Sequence, residues 1–179
     1  ELLQIGSLGI TKVSAAVMES FAPKYKVLGI PYIFNNDVHR YSVYDGEVGE
    51  EVLNSGQEYW LKGLCFYDAG SRSFYTTNKP VRTAEDLAGM KIRVMRSITA
   101  NKMISDMGGS PVPIDFGELY TALQQGVVDG AENNSPSFHL TRHYEICKYY
   151  TLDKHTSIPD VLVISTIIWD RLSDQEKEW

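Results

Sequence analysis

The chain has 179 residues, about one domain's worth, and at 43% hydrophobic and 22% charged it has neither a disordered nor a low-complexity composition. Seventeen Lys and Arg against 23 Asp and Glu leave a formal charge of −6 with no basic run, which argues against nucleic acid as a partner. The longest nearly apolar stretch, residues 161–169, is broken by Ser165 and Thr166 and falls far short of the roughly 20 residues a membrane helix needs.

In chain order, Leu2-Leu3-Gln4-Ile5 reads as a strand. Between Asn36 and Gly63 two helices are predicted. Asn36 or Asp37 caps the first, and Val52, Leu53, Gly56, Tyr59 and Trp60 lay one apolar stripe along the second. Residues 63–67 and 73–77 read as strands on either side of the turn-forming Asp68-Ala69-Gly70. Thr83-Ala84-Glu85-Asp86 has capping-box spacing and opens a short helix that Gly89 ends, and residues 90–95 form a strand. A strand, helix, strand unit follows. Ala100, Met103, Ile104 and Met107 recur at helical spacing before Gly108-Gly109, and residues 112–114 form a short strand.

Asp115 to Glu118 again has capping-box spacing, and it leads into Phe116, Leu119, Tyr120 and Leu123 on one helix face, with Gly126 at the C-terminal end. Val127-Val128 starts a further strand, and residues 148–152 and 161–169 read as two long strands separated by Pro159. The alternation predicts an α/β fold with a parallel sheet covered by helices. Ser173-Asp174-Gln175-Glu176 opens a last helix that meets Trp179 after one turn, so the chain is expected to be part of a larger protein. Cys65 and Cys147 lack metal-ligand spacing; they are expected to be buried free thiols, with a disulfide as the alternative.

In such a sheet, ligands bind beyond the carboxyl ends of the strands. Arg93 lies in a strand between Ile92 and Val94, just before a helix. A guanidinium there is either a bidentate clamp on a ligand carboxylate or an edge-strand charge with an internal acidic partner. Arg96 projects to the opposite face and reads as a surface charge. Arg72 follows a Gly-containing turn, where it is either hydrated or aimed at a ligand, and Asn133 is either a pocket residue or the cap of the helix starting at Ser135-Pro136. No dinucleotide fingerprint, P-loop or nucleophile elbow is present, so neither a catalyst nor a cofactor is expected. His139 and His143 have the i, i+4 spacing of a zinc pair and keep a metal-dependent hydrolase open as a rival, but with no H-E-x-x-H pattern or third ligand they read first as exposed helix histidines; a module for a protein or peptide ligand is a second rival.

Several longer segments resemble one known family. Gly29-Ile30-Pro31-Tyr32-Ile33-Phe34, residues 80–94 (PVRTAEDLAGMKIRV), residues 109–113 (GSPVP) and residues 116–133 (FGELYTALQQGVVDGAEN) are similar to the substrate-binding proteins of tripartite ATP-independent periplasmic (TRAP) transporters, the DctP family. The resemblance implies a two-lobed periplasmic binding protein with a hinge of crossing strands that closes over one small organic acid. The protein would hand its ligand to the transporter's membrane subunits and be exported by a signal peptide. It further implies a chain lacking the first strand and helix of lobe one and the C-terminal helices, with lobe one at residues 1–69, lobe two at 70–157 and a return to lobe one at 158–179. By motif, Arg93 matches the arginine that clamps the carboxylate, Arg72 a second arginine nearby, Asn133 a pocket asparagine and Phe116 an aromatic of the cleft. Residues 6–11 occupy a ligand-facing place in the family. The segment Glu132 to Ser137 is more similar to members that take sugar acids such as uronates and aldonates than to sialic-acid binders, with C4-dicarboxylates and 2-oxo acids left open.

Overall fold

The computed structural model describes residues 1–178. Its strands are β1 (Ile10–Ser14), β2 (Leu61–Tyr67), β3 (Ser73–Thr76), β4 (Lys91–Val94), β5 (Ser110–Pro113), β6 (Gly130–Asn133), β7 (Tyr149–Tyr150) and β8 (Asp160–Ser165). Its helices are α1 (Ala15–Met18), α2 (Asp37–Tyr44), α3 (Glu47–Asn54), α4 (Ile98–Asp106), α5 (Leu119–Gln124), α6 (Ser135–Leu140), α7 (Thr166–Trp169) and α8 (Asp174–Glu178), joined in places by short 3-10 turns. Among the described residues no helix is long and apolar enough to cross a membrane.

The strands make two sheets. One has the order β1-β8-β2 and is antiparallel; the other has the order β5-β4-β6-β3-β7, with β4 parallel to both β5 and β6, and β3 antiparallel to β6 and β7. The expectation of a parallel sheet therefore holds only for β4, β5 and β6. The chain passes between the sheets at residues 68–72 and 151–159, and these two crossings are themselves paired. Arg72 N donates to Thr156 O at 2.7 Å in an isolated antiparallel bridge.

Each sheet is covered where its sequence is apolar. Val161 and Val163 of β8 pack with Ala15, Met18, Tyr25, Leu28, Tyr44, Val52 and Leu61. The five-stranded sheet is apolar on both faces: Phe74, Ile92 and Val94 meet Leu87, Ala100, Met103 and Ile104 under α4, while Tyr75 and Ala131 meet Leu119, Leu123 and Cys147 under α5. Fully burying each such Val, Leu or Ile contributes about 1.5–3 kcal/mol. The connection through α4 leads from β4 to β5 on one side, and the connection through α5 leads back past β4 to β6 on the other, so β4 stands where the strand order reverses. The two sheet units also touch away from the crossings. The buried Glu19 carboxylate, just after α1, accepts from Ser97 Oγ at 3.0 Å and from Thr99 N at 3.1 Å at the start of α4.

Several expected elements differ, each for a local reason. Residues 2–5 form turns rather than a strand, closed by Ser7 N donating to Leu2 O at 3.0 Å. The stripe through Trp60 is broken because α3 ends at Asn54 and Trp60 adopts a left-handed φ of 61° that turns the chain into β2. The strand placed at Val127-Val128 begins instead at Gly130, since the turn at Gly126, φ 68°, is not yet closed there. Residues 148–152 yield only the two residues of β7. The strand expected over 161–169 stops at Ser165, opposite Leu61, because neither neighbour extends further, and α7 takes over. The box at Asp115 does not form: its carboxylate accepts from Arg96 at 3.0 Å instead. The boxes at Thr83 and at Ser173 do form. Cys147 is buried and Cys65 exposed, both as free thiols, so the expectation of two buried thiols holds for one.

Candidate functional site

The parallel strands β4, β5 and β6 end side by side, and the residues just past them are Met95 and Arg96, Ile114 to Phe116, and Asn134. All of these line one cavity of about 470 Å³, whose opposite wall is Lys12, Ser14 and Val17 from β1 and α1, Ala69 and Ile158 from the crossings, and Asp160 from β8. Arg93, Arg72, Asn133 and Phe116 line it too. The volume suits a small ligand.

Arg93 occupies the one interior position of β4 that faces away from the α4 core, where a sheet with two apolar faces calls for a hydrocarbon. It is 2% exposed. Its Nε donates to Ile114 O at 2.8 Å and its Cζ lies 5.7 Å from the Phe116 ring centre, but Nη1 has no hydrogen-bond partner. Burial lowers its pKa, with the nearby Glu132 charge offsetting only part of this. Of the readings open from sequence, the internal acidic partner is excluded among the described residues, because no Asp or Glu bridges to Arg93. A buried cation with an unmatched donor, on a residue that lines a cavity, is a candidate site for an anion.

Arg72 is buried as well, which overturns the hydrated reading of its turn. Its guanidinium forms an ion pair with Glu132 through Nε, and Nη2 donates to Glu132 Oε1 at 2.9 Å and Glu132 O at 2.8 Å. Burial alone would raise the Glu132 carboxyl, but the charges and hydrogen bonds of Arg72 and His155 together outweigh it and hold the group down to about 2. The same pairing keeps Arg72 raised against its own desolvation. Behind them His155 is fully buried, stacked on Phe74 at 4.4 Å, with Nδ1 2.6 Å from Asp153 Oδ2 and Nε2 3.6 Å from Glu132 Oε2.

Arg72 also orients Asn133. Nη1 of Arg72 and the N–H of Asn134 both donate to Asn133 Oδ1, at 3.0 and 2.8 Å, which leaves the Asn133 amide NH2 as the group offered to a ligand. Asn133 is not the cap of α6. Asn134 is, accepting from Ser137 N at 2.7 Å while donating to Ala69 O at 2.7 Å in the crossing. Phe116 is 42% exposed and turned from its helix core toward the cavity. Arg96 sits at the mouth with Asp115, so it is a surface charge that nevertheless borders the site.

From the first wall Lys12, Ser14 and Val17 line the cavity while residues 6–11 do not, and sequence reasoning did not single out Lys12, Ser14 or Asp160. Alternation along β1 and the pairing with β8 could have been read only with the register in hand. The histidine pair is not assembled. His139 stacks on Tyr144, whereas His143 is buried beyond the end of α6 and shares a 2.9 Å hydrogen bond with Tyr75 Oη, so it is not the exposed helix histidine its spacing suggests. Burial first, and the Arg93 charge second, pull His143 down to about 4. Among the described residues no group of His, Cys, Asp or Glu is arranged to hold a metal.

Known proteins share this chain's pattern. The family model described as bacterial extracellular solute-binding protein, family 7, DctP, matches residues 1–179. YiiZ of Salmonella typhimurium is 44% identical over 178 residues, 99% of this chain and 54% of that protein. A TRAP periplasmic solute-binding protein from Anaerococcus prevotii, solved with bound D-glucuronate, superposes with a TM-score of 0.96 at 39% identity, covering 99% of this chain and 58% of that one. A second, from Bradyrhizobium with bound D-galacturonate, gives a TM-score of 0.96 at 40% identity, covering 99% and 59%. The chain thus spans about half the length of the curated relatives it matches. With its α/β sheets, its strand-end cavity and a family match along its whole length, the chain belongs to the DctP family of bacterial extracellular solute-binding proteins.

Proposed function

We propose that the protein is a periplasmic solute-binding protein that captures a small organic acid, a sugar acid such as a uronate or aldonate, and delivers it to the membrane subunits of a TRAP transporter. The observation that carries this reading is Arg93, a buried guanidinium with an unpartnered Nη1 and no acidic partner, on a residue that lines a cavity of ligand size. Arg93 clamps the carboxylate, the Asn133 amide donates to it, Phe116 covers the ligand, and Arg72 acts chiefly by holding Asn133 in place. The β1-β8-β2 sheet belongs to lobe one, residues 1–69 and 158–179, the five-stranded sheet to lobe two, residues 70–157, and the paired crossings at Arg72 and Thr156 are the hinge. Closure removes water from the cavity, which strengthens the pairing between carboxylate and guanidinium.

The uronates bound by structurally similar proteins favour a sugar acid over C4-dicarboxylates or 2-oxo acids. A thermal-shift screen of the purified protein tests this. Uronates or aldonates at about 100 times their dissociation constant add about 2.7 kcal/mol and raise Tm by several degrees, while amino acids and neutral sugars do nothing. A shift with a neutral sugar and none with any acid overturns the reading.

A further inference from the structure

We propose that Asp160, held by Lys12 across the β1–β8 pair, makes the site select a monoacid bearing hydroxyls and reject the corresponding diacid. This deepens the sugar-acid reading above and rests on it. In the β1–β8 register Ser14 lies opposite Asp160 and Lys12 opposite Leu162, so alternation puts Lys12, Ser14 and Asp160 on the same face of the sheet. All three line the cavity. Lys12 Nζ forms an ion pair with Asp160 Oδ2, and the Asp160 side chain is 24% exposed.

The charges of the cavity wall can be counted. Its cations are Lys12, Arg72, Arg93 and Arg96; Glu132 neutralises Arg72, Asp115 neutralises Arg96 and Asp160 neutralises Lys12. Of these four cations only Arg93 is left without an acidic partner among the described residues, so this wall carries one unmatched positive charge. A ligand that places its carboxylate on Arg93 and reaches the opposite wall meets Asp160. No hydrogen bond engages Asp160 Oδ1 among the described residues, and an ionised carboxylate only accepts, so its complement is a hydroxyl. A second carboxylate there faces a like charge whose lysine is already engaged, and like charges brought together in an interface are costly.

Calorimetric titration of D-galacturonate against galactarate, and of D-glucuronate against D-glucarate, compares a hydroxyl-rich monoacid with the diacid of the same skeleton. Wild type should bind at least one uronate, with its diacid at least about tenfold weaker. Asp160→Asn keeps the size, removes the charge and frees Lys12, so the diacid should gain and the preference should shrink by about tenfold or more. Lys12→Gln leaves Asp160 unneutralised and should widen the preference, which keeps the idea testable if Asp160→Asn does not fold. Wild type binding both members of a pair equally, wild type binding neither uronate, or a folded Asp160→Asn or Lys12→Gln with an unchanged ratio overturns the proposal. The sugar-acid reading itself falls only if no uronate or aldonate stabilises wild type in the wider screen, so the two failures are distinct.

Discussion

Replacing Arg93 by Lys keeps the charge but exchanges a planar fork for a single point donor. The bond to Ile114 O and the unmatched Nη1 both depend on that fork. Arg93→Lys should therefore weaken sugar-acid binding by more than about tenfold, each tenfold being about 1.4 kcal/mol, with circular dichroism unchanged; calorimetric titration reads the loss. Binding like wild type would mean that the carboxylate is held elsewhere. Arg72 behaves differently, because its guanidinium is occupied by Glu132 and Asn133. Glu132→Gln leaves a buried cation without its counter-charge, a loss on the order of 3–5 kcal/mol in urea unfolding even without ligand. An unfolding free energy within error of wild type would show that Glu132 does not hold Arg72. The arginine in β4 was legible as a candidate because a charge inside an apolar strand needs an explanation. The burial of Arg72 was not, since Glu132 is 60 residues away and meets it only through the pairing of β3 with β6.

The elements that carry these residues are short, so their ends matter more than their lengths. Gly130 begins β6 opposite Thr76, and a Cβ there would lie 2.4 Å from Tyr75 O and 2.8 Å from Thr76 Cγ2. Gly130→Ala must push β3 and β6 apart, costing about 1–3 kcal/mol and displacing Asn133 at the far end of the same strand. Thermal unfolding together with ligand titration checks both effects; a variant as stable as wild type would mean that the ladder yields freely. Local signals found most of these ends. The Asn36 side chain accepts from His39 N, and Thr83 and Asp86 close their box, because side chain and backbone partner lie within three residues. Asp115 has the same spacing and fails, since Arg96, across the ends of β4 and β5, offers its carboxylate a charged partner.

At the scale of the molecule, the buried ionisable groups set how stability follows pH. His143 is lowered to about 4, so the unfolded chain takes up a proton below about 6.5 that the folded chain refuses. Stability should fall between those two values as pH drops. Glu132 is depressed to about 2, so its contribution is complete above the ordinary carboxylate range and is lost as pH falls through 2. His155 is raised despite its burial by Asp153 and Glu132, so its contribution is present below about 6.5 and is lost as pH rises through its folded value. Urea unfolding across pH 4 to 6.5 should show a shallower acid decline in His143→Asn than in wild type. Identical slopes would place the acid sensitivity in other groups.

The linear order of residues determined the fold class, the family and the four residues later found on one cavity, because helix periods, strand runs and motif segments are local and survive in a string of letters. Tertiary structure decided the rest. It decided that β8 ends at Ser165 because both its neighbours stop, that His143 joins Tyr75 instead of His139, and that Arg72 is occupied while Arg93 is left unmatched. It also placed Lys12, Ser14 and Asp160 on one wall, through a register between strands almost 150 residues apart. Charge pairing depends on distance in space, and in this fold that distance is set by two crossings and a strand order that no local pattern encodes.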